Sequence, residues 1–236
     1  MVELEGLNAI PVIAVDGPSA SGKGTVAQRV ARQLGYHYLD SGALYRLVAV
    51  AGQRAGVALD DEPELTRLAL QLAVEFVDDR ILLDGVDVSA AVRSEATGKA
   101  ASTIAVLPEL RAALLERQRA FRQAPGLVAD GRDMGSVVFP DADLKIFLTA
   151  SAEERARRRH NQLKEKDLLG SAADDIFDRI LQDIVDRDER DASRAVAPLK
   201  CFPDAHQVDT TSLTIEQAVA RIIQLYSCQN ANTANV

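Results

Sequence analysis

Residues 12–25, Val-Ile-Ala-Val-Asp-Gly-Pro-Ser-Ala-Ser-Gly-Lys-Gly-Thr, decide the fold. The apolar run at 12–15 is typical of a buried parallel strand, and the Asp-Gly-Pro turn that follows would end it. A helix is predicted from about Gly22, because apolar residues recur at helical spacing up to Leu34 and Gly35 is placed to end the helix. A strand, a glycine-rich loop and a helix in this order open an α/β fold.

The loop at 17–25 has the pattern of a phosphate-binding loop. Its small residues let the backbone approach a ligand closely, and consecutive N–H groups ahead of a helix can point at phosphate oxygens. Lys23 would supply a positive charge for the β and γ phosphates of a nucleoside triphosphate. Gly24 stands where a Ser or Thr usually follows this lysine, so Thr25 becomes the candidate hydroxyl for a Mg²⁺ ion that enters with the triphosphate. The residues predicted to bind the triphosphate in this loop are Gly17, Pro18, Ser19, Ala20, Ser21, Gly22, Lys23, Gly24 and Thr25.

Strand-like runs alternate with helices along the rest of the chain, which predicts a five-stranded parallel sheet flanked by helices. The four further strands are predicted at 36–39, 127–130, 144–148 and 206–209. Residues 60–108 interrupt the alternation, since three short β-type runs are separated there by Asp78-Asp79 and by Asp84-Gly85, both suited to hairpin turns. These residues therefore predict a small antiparallel insert.

The chain is expected to divide into a core, an insert and a charged helical lid. The predicted segments are core 1–59, insert 60–108, core 109–154, lid 155–190, core 191–226 and a disordered tail 227–236. Few apolar residues lie near Gly170, which predicts a mobile flap within the lid. The last helix is predicted from Thr214, with Gln217 completing a capping box, to Tyr226.

Composition narrows the class of protein. The chain has 236 residues, 47% of them hydrophobic and 26% charged, as in ordinary globular proteins. A net charge of −8 argues against general attraction to nucleic acid or anionic lipid, so anionic ligands would need a local cationic cluster. Two cysteines without metal-site spacing, and no stretch resembling a signal peptide or membrane span, predict a soluble cytoplasmic protein with reduced thiols. We expect a monomer without nucleic-acid or membrane partners.

Three further motifs occur in order along the chain. They are Asp-Ser-Gly-Ala-Leu-Tyr-Arg at 40–46, Asp-Gly-Arg-Asp-Met-Gly at 130–135, and the segment 187–199, which begins Arg-Asp-Glu-Arg-Asp and ends Arg-Ala-Val-Ala-Pro-Leu. Together with the Gly-Lys-Gly-Thr ending of the loop, they closely resemble bacterial cytidylate kinases from about residue 10 to 226. The resemblance implies a P-loop kinase core, an inserted acceptor-binding domain and a lid. It also implies transfer of the ATP γ-phosphate to CMP or dCMP.

The arginines call for an explanation independently of the resemblance. Transfer of a phosphoryl group to a nucleotide brings two multiply charged anions together, so several cations are expected at the site. Arg46 follows the second strand on a helix predicted at 41–55, and Arg132 comes just after the third strand, where parallel sheets bind ligands. The alternative for Arg46 is a solvated charge on a helix face.

The resemblance assigns individual roles. The catalytic residues would be Lys23, Arg132 and Arg187. The residues for CMP would be Ser41, Arg46, Ser102, Arg111, Arg132, Asp133, Arg187, Asp191 and Arg194. Arg157 and Arg158 in the lid would cover ATP.

Each assignment has a structural alternative. Arg187, Asp191 and Arg194 are spaced by four and three residues, as in an intrahelical ion-pair ladder. Ser102 and Arg111 lie on amphipathic helices, where such residues are usually on the surface. Asp133 could pair with Arg132 or cap the segment that follows, and the arginines at 155–159 could form a solvated helix with Glu153 and Glu154.

Two other functions remain open. A kinase for UMP, AMP or another small phosphoryl acceptor would carry the same loop. A nucleotide-binding switch or regulatory subunit would carry the loop without an acceptor site, but it would not need arginines that converge on a second phosphate.

Overall fold

The computed structural model describes residues 10–77, 80–165, 173–194 and 196–233. These residues form two compact units, one running to Leu39 and resuming at Arg122, the other spanning Asp40–Phe121. The insert predicted at 60–108 lies wholly within the second unit, which extends further on both sides.

The elements are numbered in chain order. The strands are β1 (Val12–Asp16), β2 (His37–Asp40), β3 (Val74–Val77), β4 (Arg80–Leu83), β5 (Val86–Asp87), β6 (Leu127–Gly131), β7 (Leu144–Thr149) and β8 (His206–Asp209). The helices are α1 (Lys23–Leu34), α2 (Ser41–Ala55), α3 (Glu62–Gln71), α4 (Ser89–Arg93), α5 (Glu95–Ile104), α6 (Pro108–Arg119), α7 (Ala152–Glu165), α8 (Ala173–Ala192) and α9 (Ile215–Thr233). A one-turn π-helix spans Met134–Val138.

The first unit is built on a five-stranded parallel sheet in the order β2-β6-β1-β7-β8. All five predicted strands are confirmed, each within one residue of its predicted ends. The central strand β1 lies between β6 and β7, with Asp16 in register with Gly131 and Phe147. The carboxyl ends of these three strands therefore meet at one edge of the sheet, where the glycine-rich loop begins.

Helices α1 and α9 cover the sheet with their apolar faces. Val26 and Val30 of α1 and Ile222 of α9 pack in the same buried cluster as side chains of β1, β6, β7 and β8. Gly35 ends α1 in a left-handed conformation at φ 68°, as predicted.

The last helix confirms its predicted start but not its predicted end. Thr214 N donates to Gln217 Oε1 at 2.9 Å and Gln217 N donates to Thr214 Oγ1 at 3.2 Å, which completes the capping box. The helix continues past Tyr226 to Thr233, so the prediction of a disordered tail from residue 227 is wrong as far as 233. Residues 227–233 contain neither Gly nor Pro, and the backbone has no local reason to stop.

The second unit combines helices with the predicted antiparallel sheet, in the order β3-β4-β5. Asp84 and Gly85 form the turn between β4 and β5 with φ values of 51° and 74°, as a two-residue hairpin requires. The other predicted turn, at 78–79, lies outside the described residues. Asp61 caps α3 by accepting from Glu64 N at 3.2 Å, while the Glu64 side chain pairs with Arg67.

Two charged helices, α7 and α8, occupy the region predicted to be the lid. The predicted flap around Gly170 lies outside the described residues. Among the helices that the structure describes, none combines the length and apolar character needed to span a membrane.

Candidate active site

The loop between β1 and α1 follows the carboxyl end of the central strand. A Cβ atom at Gly17 would lie 2.0 Å from the Leu148 carbonyl oxygen, so only glycine fits where the loop passes β7. Gly22 adopts φ 87° and Ala20 adopts φ 57°, conformations that β-carbon-bearing residues rarely take. Ser21 Oγ donates to the Pro18 carbonyl at 3.0 Å. The loop is thus a tightly constrained turn at the amino end of α1.

Lys23 lies between the loop and a buried carboxylate. Its Nζ is 3.5 Å from the Pro18 carbonyl oxygen and 3.7 Å from Asp130 Oδ1. Tyr38 Oη donates to Asp130 Oδ2 at 3.3 Å. A Cβ atom at Gly24 would lie 3.1 Å from the same Oδ2, so this carboxylate occupies space next to the position where Ser or Thr usually stands.

Asp130, whose carboxylate lies 3.7 Å from Lys23 Nζ, was not among the residues predicted for the site. It could have been found from its place at the end of a buried strand beside β1, since parallel strands bring their carboxyl ends to one edge. Thr25, the predicted hydroxyl ligand for Mg²⁺, is exposed on the first turn of α1. The described residues contain no group of three or more His, Cys, Asp or Glu that could hold a metal ion.

Asp16, also missed, joins the end of β1 to the segment after β6. Its carboxylate accepts from Met134 N at 2.8 Å and from Gly135 N at 2.9 Å. Burial raises the pKa of Asp16 to about 7. The two N–H groups lower this pKa in part, whereas the negative charges of Asp133 and Asp130 raise it further. The contact fixes the backbone immediately after Arg132 and Asp133.

Arg132 pairs with Asp191 rather than with its neighbour in sequence. Arg132 Nε donates to Asp191 Oδ2 at 2.8 Å, and Arg194 donates to the other carboxylate oxygen. Burial tends to raise the pKa of Asp191, but Arg132, Arg194 and Arg187 lower it below its ordinary value. Burial lowers the pKa of Arg132, but nearby carboxylates, chiefly that of Asp191, raise it by more, so this pKa lies above its ordinary value. Three predicted arginines therefore gather around one carboxylate.

The intrahelical ladder describes only part of this arrangement. Helix α8 ends at Ala192, so Arg194 lies beyond it. The other partner of Asp191 is Arg132, which follows β6 in a distant part of the chain. Asp133 is buried and its side chain does not cap the π-helix, which excludes the capping alternative.

The other four predicted acceptor residues belong to the second unit. Arg46 Nη1 donates to the Val92 carbonyl at 3.1 Å, so it is held against the protein rather than solvated. Arg111 Nη1 donates to the Ala105 carbonyl at 3.1 Å and lies 3.5 Å from Tyr45 Oη. Ser41 is buried at the start of α2.

Ser102 and Arg111 are only 4% and 9% exposed. The alternative that they are ordinary surface residues is therefore wrong. Apolar periodicity marks the buried face of a helix, but it does not show which polar residue at the border of that face is covered.

The two predicted lid arginines differ in their surroundings. Arg157 is 65% exposed and pairs with Glu154 at 2.6 Å. Arg158 Nη1 donates to the Ser21 carbonyl at 3.0 Å and to Thr210 Oγ1 at 3.1 Å. Arg158 thus contacts the loop at the Ser21 carbonyl, whereas Arg157 fits the solvated alternative.

The site combines a constrained loop at the carboxyl end of a central parallel strand, a lysine at the following helix and cations at the neighbouring strand end. These features define a P-loop nucleotide-binding protein of the α/β class. The sequence model of the cytidylate kinase family matches residues 13–228, and the chain belongs to this family.

Individual relatives are similar over nearly the whole chain. The cytidylate kinase of Chromobacterium violaceum is 58% identical over 223 residues, covering 94% of this chain and 98% of the relative. Those of Nitrosomonas eutropha and Stutzerimonas stutzeri are 54% and 56% identical, each covering 92% of this chain and 95% of the relative.

Proposed function

We propose that this protein is a (d)CMP kinase, which transfers the γ-phosphoryl group of ATP to a phosphate oxygen of CMP or dCMP. The bond between the γ-phosphorus and the β,γ-bridging oxygen breaks, a bond to the acceptor oxygen forms, and ADP leaves with CDP or dCDP. The observation that carries this proposal is the identity of 54–58% to proteins named cytidylate kinase, over more than nine tenths of the chain.

The loop and Lys23 would bind the donor. Backbone N–H groups of such loops cradle phosphates, and the lysine ammonium neutralises charge that moves toward the leaving ADP. Lys23 is already held between the loop carbonyl of Pro18 and Asp130, so little reorganisation would be needed.

Mg²⁺ would enter with ATP and be held largely by phosphate oxygens. Carboxylate and hydroxyl oxygens are the protein ligands it prefers, and the Asp130 carboxylate beside Lys23 and the Thr25 hydroxyl at the start of α1 are of this type. When bound, the ion would neutralise charge on the β and γ phosphates.

By resemblance to the family, the acceptor phosphate would bind the arginines Arg132, Arg187 and Arg46. Phosphoryl transfer depends mainly on positioning and charge neutralisation, and these guanidiniums can each donate two hydrogen bonds to a phosphate. Asp191 would hold Arg132 and Arg194 in place while it contacts the acceptor. Ser41 and Ser102 would donate or accept hydrogen bonds at the nucleotide.

The cytosine base would be read by Asp133, Arg111 and Arg194, with the carboxylate on the exocyclic amine. Residues 60–108 would act as the acceptor-binding insert and residues 155–190 as the lid, with Arg157 and Arg158 on the ATP side. Both segments would then exclude water from the reacting phosphates.

A coupled assay of ADP formation tests the proposal, with CMP, dCMP, UMP, AMP and no acceptor compared at equal concentrations. We expect turnover with CMP and dCMP to exceed turnover with UMP and AMP by at least about tenfold. Equal rates with all four acceptors would reject the assignment of a cytidine nucleotide. ADP formation that does not depend on any acceptor would favour the nucleotide-binding switch.

A further inference from the structure

Arg155, in the first turn of α7, is 5% exposed and contacts three parts of the first unit. Its Nε donates to the Ala150 carbonyl at 3.0 Å and its Nη1 to the Ser19 carbonyl in the phosphate loop at 3.3 Å. Its Nη1 and Nη2 also donate to the two carboxylate oxygens of Asp188, at 3.0 and 2.5 Å. All three nitrogens of the guanidinium are therefore engaged by protein atoms.

The contact with Ser19 controls the direction of the next peptide N–H. In a planar trans peptide the C=O and N–H bonds point in opposite directions, so a carbonyl turned toward Arg155 turns the Ala20 N–H away from it. Ala20 adopts φ 57°, which costs an alanine free energy relative to ordinary conformations. An outside donor on the Ser19 carbonyl thus stabilises a loop geometry that the backbone alone disfavours.

An apolar cluster ties the same three segments together. Ala156 of α7 and Ile180 and Ile184 of α8 are buried against each other, and Ala20 of the loop packs on them. Asp188 lies one turn beyond Ile184, on the helix that also carries Arg187 and Asp191. Arg155 therefore links the loop to the helix that would present the acceptor-binding residues.

We propose that Arg155 and Asp188 form a positioning pair, which sets the phosphate loop and α8 in the geometry needed for phosphoryl transfer. This inference rests on the proposed kinase function. It gives Arg155 a role distinct from that of an ATP ligand, because its bidentate bond to Asp188 and its bond to Ser19 direct the guanidinium into the protein.

The pair can be tested by a double-mutant cycle of Arg155→Lys and Asp188→Asn. Lysine keeps the charge but lacks the planar fork, so it cannot bond Asp188, Ser19 and Ala150 together. Calorimetric titration with ADP and ATP measures the affinity of the phosphate loop for nucleotide, because both nucleotides carry the β-phosphate. We expect each single substitution to weaken both affinities by about tenfold or more. The double variant should bind each nucleotide no more weakly than the single variant with the lower affinity.

The exposed pair Arg29 and Glu216, joined at 2.5 Å, provides a matched control cycle of Arg29→Lys and Glu216→Gln. We expect unchanged ADP and ATP affinities in that cycle. If Arg155 were an ATP ligand restrained by Asp188, Asp188→Asn would leave binding unchanged or tighten it. That result would overturn the proposal, as would a loss restricted to ATP.

A purely structural pair gives a different outcome. The folded variants would then have lower melting temperatures with unchanged ADP affinity, which would also overturn the proposal. If Arg155→Lys does not fold, the same titration of Asp188→Asn, which changes the more exposed partner, tests the proposal. ADP and ATP affinities do not depend on which acceptor the enzyme uses, so failure of this inference is separable from failure of the (d)CMP kinase assay.

Discussion

Arg132 and Asp191, 59 residues apart in the chain, form an ion pair in which Nε lies 2.8 Å from Oδ2 and the carboxylate is 1% exposed. The pair connects the end of β6 to the last turn of α8. Since Arg194 also donates to Asp191, one buried carboxylate holds two guanidiniums whose charges would otherwise repel. A phosphate that binds these arginines would meet cations already fixed in place.

We expect Asp191→Ala to lower the free energy of unfolding by about 3 kcal/mol, because breaking a buried ion pair leaves charge uncompensated. Urea unfolding followed by circular dichroism measures the change. Asp204→Ala provides the control, since Asp204 pairs with Lys145 at 2.6 Å but is well exposed, and we expect little effect there. Equal losses in the two variants would contradict a structural contribution of the Arg132 pair.

Lys23→Ala should reduce kcat by about 100-fold or more while the protein stays folded. The ammonium is expected to act mainly in the transition state, so the KM for ATP should change less than kcat. Lys99→Ala removes a lysine that is exposed on α5 and pairs with Glu95 at 3.8 Å, and it should have normal kinetics. A near-normal kcat in a folded Lys23→Ala variant would reject the phosphate-loop assignment.

The sheet, the loop and the antiparallel insert could be predicted because their signals are local. Apolar runs, the glycine positions and the Asp84-Gly85 turn each depend on a few neighbouring residues. The contacts of Asp16 with Met134 and of Arg155 with Asp188 could not be predicted, because they depend on how distant segments of the chain align in the fold. The resemblance to cytidylate kinases predicts that Asp191 belongs to the acceptor site, but it did not predict that Asp191 pairs with Arg132.

Stability should depend on pH through Asp16. Burial raises the pKa of this carboxyl to about 7, whereas in the unfolded chain it titrates near its ordinary value of about 4. At a pH between these two pKa values, Asp16 keeps its proton only in the folded protein. Its contribution to the free energy of unfolding is therefore largest below about pH 4 and is lost as the pH rises through 7. Asp16→Asn removes this titration.

Thermal unfolding of the wild type and Asp16→Asn between pH 4 and 8 measures the effect. Relative to the variant, the wild type should become less stable as the pH rises toward 7. Asp204→Asn is the control and should give a stability difference that stays nearly constant over this range, because Lys145 lowers the pKa of Asp204 below its ordinary value and the carboxylate is ionised throughout. A stability difference for Asp16→Asn that does not change with pH would contradict the raised pKa.

The choice of base is expected to depend on Asp133. Cytosine carries an exocyclic N4 amine that donates hydrogen bonds, and uracil has the O4 acceptor in its place. A carboxylate facing this position would attract cytosine and repel uracil, as Asp or Glu does when it accepts from cytosine N4 in nucleic acid recognition. Asp133 is buried directly after Arg132, and its side chain does not cap the π-helix that follows.

Asp133→Ala should therefore lower kcat/KM for CMP by the equivalent of about 1–3 kcal/mol, the scale of one lost charged hydrogen bond. UMP never makes that bond, so its kcat/KM should fall much less and the preference for CMP over UMP should collapse. The measurement is steady-state kinetics with both acceptors at saturating ATP, with Asp204→Ala as the control that keeps the preference. A purely structural role would disturb the site for both nucleotides, so equal losses with CMP and UMP would show that Asp133 does not read the base.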